Sequence, residues 1–175
     1  MKSLQEYINE SELKTNLSTN KVQPKTKDEL KEIIKDTFEH KQYDLNFINT
    51  SEITDMSKLF MNCKYDFDIS DWDVSNVTDM NHMFYDCDNF NCDLSKWNVS
   101  KVVNMFSTFS SCKKFKGKGL ENWDVSAVTD MHYMFYECEN LNCDLSDWDV
   151  SFVSDFGWIF YRCDKMTIPD WYDKL

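Results

Sequence analysis

The sequence predicts an α/β repeat solenoid, made of about five stacked strand–turn–short-helix coils behind an N-terminal helical cap. Two observations predict this fold class. Four tryptophans recur at intervals of 25, 26 and 25 residues, at Trp72, Trp97, Trp123 and Trp148. The 16-residue segments that begin at these tryptophans also align without a gap. Self-similarity at a fixed period is the sequence signature of stacked repeat architectures.

Five aligned segments, here called repeat blocks one to five, cover most of the chain. They are INTSEITDMSKLFMNC (48–63), WDVSNVTDMNHMFYDC (72–87), WNVSKVVNMFSTFSSC (97–112), WDVSAVTDMHYMFYEC (123–138) and WDVSFVSDFGWIFYRC (148–163). In block one Ile48 replaces the tryptophan. The spacing from the last cysteine of a block to the start of the next varies from 9 to 11 residues. We therefore expect a loop at that point, since loops absorb changes in length.

Each block carries a pattern that is typical of a short helix. In block two, Met80, Met83, Phe84 and Cys87 follow the spacing i, i+3, i+4, i+7, which places them on one helix face. Asp79 precedes the first of them, where a short acceptor side chain caps free backbone amides. The equivalent positions in the other blocks are Asp55, Asn104, Asp130 and Asp155.

A short strand is predicted between consecutive helices. The segments FNCDLS (90–95) and LNCDLS (141–146) alternate apolar and polar residues, which indicates a strand with one face inward. Parallel strands stacked at roughly 4.8 Å would form a narrow sheet along the solenoid. A helix or turn would follow each strand on the outside.

The predicted organisation has three parts. Residues 1–25 have little periodicity and are expected to be a flexible arm. Residues 26–43 contain a capping helix, because Thr26-Lys-Asp-Glu29 has the form of a capping box before an apolar stripe. Residues 44–175 form the repeat solenoid with a truncated C-terminal coil.

Charge and hydropathy exclude several classes of partner. The net charge is −12 and the 31 acidic residues are spread along the chain, so the protein repels phosphate backbones and nucleic acid is excluded. Membrane insertion is excluded because no apolar run reaches about 18 residues. The first residues, MKSLQEYINESELK, lack the apolar stretch of a secretory signal. We therefore expect the cytoplasm of a bacterial host, or a virion, rather than a cell surface.

Residues that could carry chemistry are better explained as structural. One cysteine per block could form a metal or redox array, but paired zinc ligands such as C-x₂-C are missing, so we favour a column of small, buried, reduced side chains. The aspartates in the turns could bind calcium, but caps and solvated turns account for them. His40, His82 and His132 are not arranged with a nucleophile. No catalytic residue, metal site or cofactor is predicted.

The positions that vary between blocks predict a binding surface. On the predicted helices they face away from the apolar stripe, and the candidate partner-binding residues are His82, Phe106, Tyr133 and Trp158, with Tyr85, Tyr136 and Tyr161 along the edge of the stripe. Exposed aromatic side chains in a row are typical anchors of protein interfaces. The alternative is that the tyrosines pack along neighbouring helices.

The string WDVSNVTDMNHMFYDCDNFNCDLS resembles the BspA-like leucine-rich-repeat surface proteins, a class with 25-residue repeats that also occurs in mycoplasma lipoproteins. The elements V-T-D-M, M-F-x-x-C and D-L-S-x-W carry the resemblance over about residues 44–165. It implies a solenoid, adhesion or protein binding for some members, and no catalytic residues. The first residues, MKSLQEYINES, look like the short N-terminal peptides of tailed-phage proteins that are packaged in the capsid.

The leading functional hypothesis is a non-catalytic solenoid that binds a partner protein, as an interaction or adhesion module. The first alternative is an intracellular inhibitor or capsid-associated protein, encoded by a phage or mobile element, that acts on a bacterial host protein. The second is an enzyme with an unrecognised site. The sequence leaves the partner and the oligomeric state open.

Overall fold

The computed structural model describes residues 21–172, so most of the predicted arm, residues 1–20, lies outside the described residues. Between residues 21 and 172 there is one α-helix, α1 (Lys27–Glu39), and one short 3-10 helix, Leu120–Asn122. Strand pairing within the same range is confined to six isolated parallel bridges. The predicted class, an α/β solenoid of strand–turn–short-helix coils, is therefore wrong: the repeat blocks contain neither an α-helix nor a strand.

Each repeat block is built from consecutive turns. The Met83 N–H donates to the Met80 carbonyl at 3.0 Å, and the Cys87 N–H donates to the Phe84 carbonyl at 3.1 Å. The third residue of each of these turns has a positive φ, 52° at His82 and 56° at Asp86, as a type II turn requires. The same two positions have a positive φ in every block: Lys58 and Asn62, Ser107 and Ser111, Tyr133 and Glu137, and Trp158 and Arg162.

Hydrogen bonds between blocks replace those of the predicted helix. The Met80 N–H donates to Asn104 O at 3.0 Å, and the His82 N–H donates to Phe106 O at 2.9 Å. An α-helix would direct these amides to its own carbonyls, four residues earlier. Alternate amides of each block therefore bond to the next block, and the blocks form a stack of turns.

The predicted strands at 90–95 and 141–146 are also wrong. Their alternation of apolar and polar residues does correspond to inward and outward side chains, since Phe90 and Leu94 are fully buried. The backbone, however, makes only single bonds there, such as Leu94 N–H to Lys118 O at 3.0 Å. The continuous row of parallel bridges lies elsewhere, through Asp55, Asp79, Asn104, Asp130 and Asp155.

The core consists of columns of equivalent side chains from successive blocks. Every indole N–H of the tryptophan column donates to a backbone carbonyl of the preceding coil, as in Trp72 to Leu45 at 2.9 Å and Trp148 to Leu120 at 2.9 Å. Trp171 continues this column with a bond of 2.8 Å to Leu145 O. The sequence prediction that the four tryptophans share one column is confirmed.

Phenylalanine and cysteine columns run beside the tryptophans. The phenylalanine column comprises Phe60, Phe84, Phe109, Phe135 and Phe160, whose successive ring centroids are 5.7, 5.2, 5.7 and 5.9 Å apart. The interplanar angles do not exceed 10°, so the rings stack face over face. In the cysteine column the Cys112 thiol donates to Phe84 O at 3.0 Å, and the Cys138 thiol donates to Phe109 O at 2.9 Å. The prediction of one cysteine column is confirmed.

Helix α1 covers the first block, where the capping box predicts a helix. Thr26 accepts a hydrogen bond from the Glu29 N–H at 3.2 Å, and Leu30 and Ile33 are buried against the stack. Residues 21–25, which the prediction assigned to the arm, also contact the stack. Val22 is buried, and its N–H donates to Phe47 O at 2.9 Å.

The additional residue between blocks three and four lies in a loop with two glycines. Gly117 and Gly119 have φ values of 81° and 98°. A Cβ atom at Gly119 would lie 2.2 Å from the Ser95 amide nitrogen, so a larger residue cannot occupy this position without moving the backbone.

Candidate functional site

The seven candidate partner-binding residues lie together on one surface of the stack. This surface, the aromatic face, consists of His82 and Tyr85 in block two, Phe106 in block three, Tyr133 and Tyr136 in block four, and Trp158 and Tyr161 in block five. Trp158 is 55% exposed and Tyr161 is 43% exposed. The other five are half-buried.

Ring contacts make the aromatic face continuous from block two to block four. The His82 ring lies 4.9 Å from the Phe106 ring, centroid to centroid. The Phe106 ring lies in turn 6.2 Å from the Tyr133 ring, edge on. These contacts connect neighbouring blocks, so the side chains order one another along the stack.

A second row of rings runs through the tyrosines. Tyr136 and Tyr161 stack with centroids 5.0 Å apart and planes inclined by 17°. Tyr133 meets Tyr136 edge on at 5.4 Å, and Trp158 meets Tyr161 edge on at 5.2 Å. The two rows therefore merge in blocks four and five into one patch of four rings.

The aromatic face contains a groove of about 490 Å³ above block three. Its lining residues are Tyr85, Ser107, Ser110, Tyr133, Tyr136, Trp158 and Tyr161. Ser107 and Ser110 occupy the positions that hold His82 and Tyr85 in block two, and both serines are 3% exposed. The sequence prediction assigned no role to these serines, although comparing the blocks position by position shows that they interrupt two aromatic series.

The aspartates predicted to cap helices close turns instead. The Asp79 carboxylate accepts the Asn81 N–H at 2.8 Å, and the Asp130 carboxylate accepts the His132 N–H at 2.9 Å. This bond from a side chain to the amide two residues on defines an Asx-turn. The prediction that these aspartates accept backbone N–H groups is therefore confirmed, but the amides belong to a turn and not to the start of a helix.

Two histidines lie at the aromatic face in different electrostatic environments. Burial, together with the nearby Lys58, lowers the pKa of His82 below its ordinary value, which favours the neutral form of the ring. His132, which packs 4.0 Å from the Tyr133 ring, places Nδ1 2.7 Å from the Asp155 carboxylate. Asp155 thus holds His132 beside the aromatic face.

The thiols of the cysteine column are buried in blocks two to five, and only Cys63 of block one is half-buried. Burial raises the pKa of Cys112 and Cys138 well above the usual range, and it raises the pKa of Cys163 to about 12. All seven cysteines are free, and each lies within the described residues. Within residues 21–172, no group of three or more histidine, cysteine, aspartate or glutamate side chains is placed to hold a metal ion. The same part of the chain has no helix with the length and apolar character needed to cross a bilayer.

The aligned blocks, their repeated turns and their side-chain columns define a repeat protein. The particular family follows from comparison with known proteins: a family model described as "Mycoplasma protein of unknown function, DUF285" matches residues 28–119 and 101–172. The chain belongs to this family. No curated protein and no solved structure matches the chain.

Proposed function

We propose that the chain is a non-catalytic protein-binding repeat protein whose aromatic face anchors a partner protein. One observation carries this proposal. Seven aromatic or histidine side chains from four successive blocks form one surface whose rings touch from block to block. The columns that hold the stack together are a separate set of residues, so the aromatic face is free to serve recognition.

The exposure of the largest rings favours a binding role. Trp158 and Tyr161 leave about half of their surface in water, which is costly for large apolar groups. Tryptophan and tyrosine are also enriched among the few interface residues that dominate binding energy. A partner that covers this patch would remove both rings from water and gain apolar contact.

The resemblance to BspA-like leucine-rich-repeat surface proteins supports the same function. It rests on the recurring elements V-T-D-M, M-F-x-x-C and D-L-S-x-W, which lie in the blocks and their connections. Since some members of that class act in adhesion or protein binding, we include this chain among the binding members of the class.

The experiment is comparative capture on immobilised protein, using a lysate of the organism that encodes the chain. The test variant is the double substitution Tyr133→Ala, Trp158→Ala, which removes two adjacent rings of the aromatic face. The control variant is Phe152→Ala, because Phe152 is 71% exposed but does not line the groove. We expect wild type and control to retain a common protein that the double variant does not retain.

Thermal melting of all three proteins accompanies the capture. The double variant should melt close to wild type, because Trp158 is more than half exposed and Tyr133 is half-buried at the surface. Equal capture by wild type and by a folded double variant would reject the aromatic face as the binding surface.

A further inference from the structure

The tyrosine row of the aromatic face is interrupted at one place. Equivalent positions in blocks two to five hold Tyr85, Ser110, Tyr136 and Tyr161. Tyr136 and Tyr161, in adjacent blocks, stack at 5.0 Å. Ser110 therefore leaves the space of one ring between Tyr85 and Tyr136, which both line the groove above it. We call this space the slot.

The size of the slot suits one flat group. Tyr85 and Tyr136 come from blocks that are two repeats apart, which corresponds to about 10 Å at the usual spacing of parallel chains. A planar group placed midway lies about 5 Å from each ring, the distance at which Tyr136 and Tyr161 already stack. The floor is formed by Ser107 and Ser110, whose hydroxyls can accept hydrogen bonds.

The carboxylates around the slot indicate the charge of its occupant. Asp79 and Asp130 lie in the blocks on either side of the slot, three residues before His82 and Tyr133. Each accepts bonds from its own turn, and neither forms an ion pair with a lysine or arginine of residues 21–172. At the opposite edge, Asp86 pairs with Lys64 at 2.7 Å and Glu137 pairs with Arg162 at 3.1 Å.

The Asp79 and Asp130 carboxylates add to the field of the whole chain, which has a net charge of −12, and Lys58 is the cation near His82 at the block-one end of this edge. Together they favour a cation over a neutral or anionic group. The electron-rich faces of Tyr85 and Tyr136 also attract a cation placed between them.

We propose that the slot binds the guanidinium group of an arginine side chain presented by the partner protein, an inference that rests on the function proposed above. Guanidinium is flat and cationic, and it stacks on aromatic faces while its edge donates hydrogen bonds. Its faces would pack on Tyr85 and Tyr136, and its edge would donate to the hydroxyls of Ser107 and Ser110. A lysine ammonium carries the charge but is not planar, and a partner's tyrosine is planar but lacks the charge.

The experiment titrates the whole protein with three capped tripeptides that differ only in the central residue: acetyl-Gly-Arg-Gly-amide and its lysine and tyrosine counterparts. Proton NMR follows the side-chain signals of the peptide. The arginine δ-methylene signals should move upfield, because they lie next to two ring faces. The lysine peptide should bind at least about fivefold more weakly.

Matched variants locate the binding. Ser110→Tyr supplies the residue that blocks two, four and five have at this position, so it should fill the slot without disturbing the stack and abolish the arginine shift. Tyr85→Ala removes one wall and should weaken arginine binding even if Ser110→Tyr fails to fold. Phe152→Ala removes an exposed ring that does not line the groove and should leave arginine binding as in wild type.

Several outcomes would overturn the inference. They are the absence of an arginine shift with wild type, equal or tighter binding of the lysine or tyrosine peptide, and an unchanged arginine shift in a folded Ser110→Tyr variant.

The captured partner separates the two proposals. If the double variant Tyr133→Ala, Trp158→Ala no longer captures the partner while Ser110→Tyr still captures it, the slot is rejected and the proposed function is kept. Arginine binding in the slot without any partner lost by the double variant would reject the function.

Discussion

At the scale of single residues, small side chains in this protein connect one block to the next. In blocks two to five, the thiol of the cysteine column donates a hydrogen bond to a phenylalanine carbonyl of the preceding block, at 2.9 to 3.0 Å. The sequence predicted this column as packing rather than chemistry because its spacing fits no metal site. The sequence does not predict this hydrogen bond, because the bond depends on which backbone carbonyl of the turn points inward.

Asp93 gives the clearest pH dependence. Its carboxylate lies 2.6 Å from Lys118 Nζ and accepts the Ser95 N–H at 3.0 Å. These contacts, Lys118 first, lower the pKa of Asp93 from the ordinary 3.8 to about 2. The contribution of Asp93 to stability is therefore complete above about pH 4 and is lost as the pH falls towards 2.

Thermal melting between pH 5 and pH 2 checks this prediction. The melting temperature of wild type should fall over that range, and Asp93→Asn should show a smaller fall because the substituted group does not titrate. Lys118→Gln, which removes the main cause of the pKa shift, should also reduce the fall. Parallel curves for wild type and both variants would contradict the assignment.

At the scale of elements, the turn explains why the helix prediction was wrong. Two consecutive four-residue turns place Met80, Met83, Phe84 and Cys87 inward, and the same spacing defines one face of a helix. Apolar periodicity therefore cannot distinguish a pair of consecutive turns from a helix. The deciding feature is the positive φ at His82 and Asp86, and neither residue type signals it as a glycine would.

Substitutions at Ser111 distinguish a turn from a helix. Ser111 has a φ of 61°, a conformation that glycine adopts freely and β-branched residues avoid. Ser111→Gly should raise the free energy of unfolding by about 0.5–1 kcal/mol, and Ser111→Val should lower it by more than 1 kcal/mol. In a helix the glycine would instead destabilise the protein. Denaturant unfolding of the two variants beside wild type measures the sign, and destabilisation by glycine would contradict the turn.

At the scale of the whole molecule, the stacking of the blocks is predictable from the sequence, whereas the local backbone conformation is not. Residue identities that recur at a fixed period predict the block register and the tryptophan and cysteine columns. The capping box predicts α1. Four residues of the aromatic face are predicted from positions that vary between blocks and three from a column of tyrosines, and the structure brings all seven to one side. The sequence does not predict the slot, because a single serine in a tyrosine column carries no signal that the neighbouring rings, Tyr85 and Tyr136, leave a space between them.

Phe109, in the middle of the phenylalanine column, tests the stack as a unit. It is fully buried and lies 5.2 Å from the Phe84 ring and 5.7 Å from the Phe135 ring. Phe109→Ala should cost about 3–5 kcal/mol, a large share of the stability of a small protein, because it damages the contacts to both neighbouring blocks. Calorimetric melting checks this. A melting temperature equal to that of wild type would show that the column is not core.

Partner binding should cover the aromatic face, and hydroxyl-radical footprinting of the captured complex measures this coverage residue by residue. The oxidation rate of each side chain reports its exposure to water, and Phe152 and Tyr65, which are 71% and 46% exposed, serve as internal references away from the groove. Oxidation of Trp158 and Tyr161 should fall on binding, while oxidation of the two reference residues should stay unchanged. Unchanged oxidation of Trp158 and Tyr161, with protection of Phe152 or Tyr65, would contradict it.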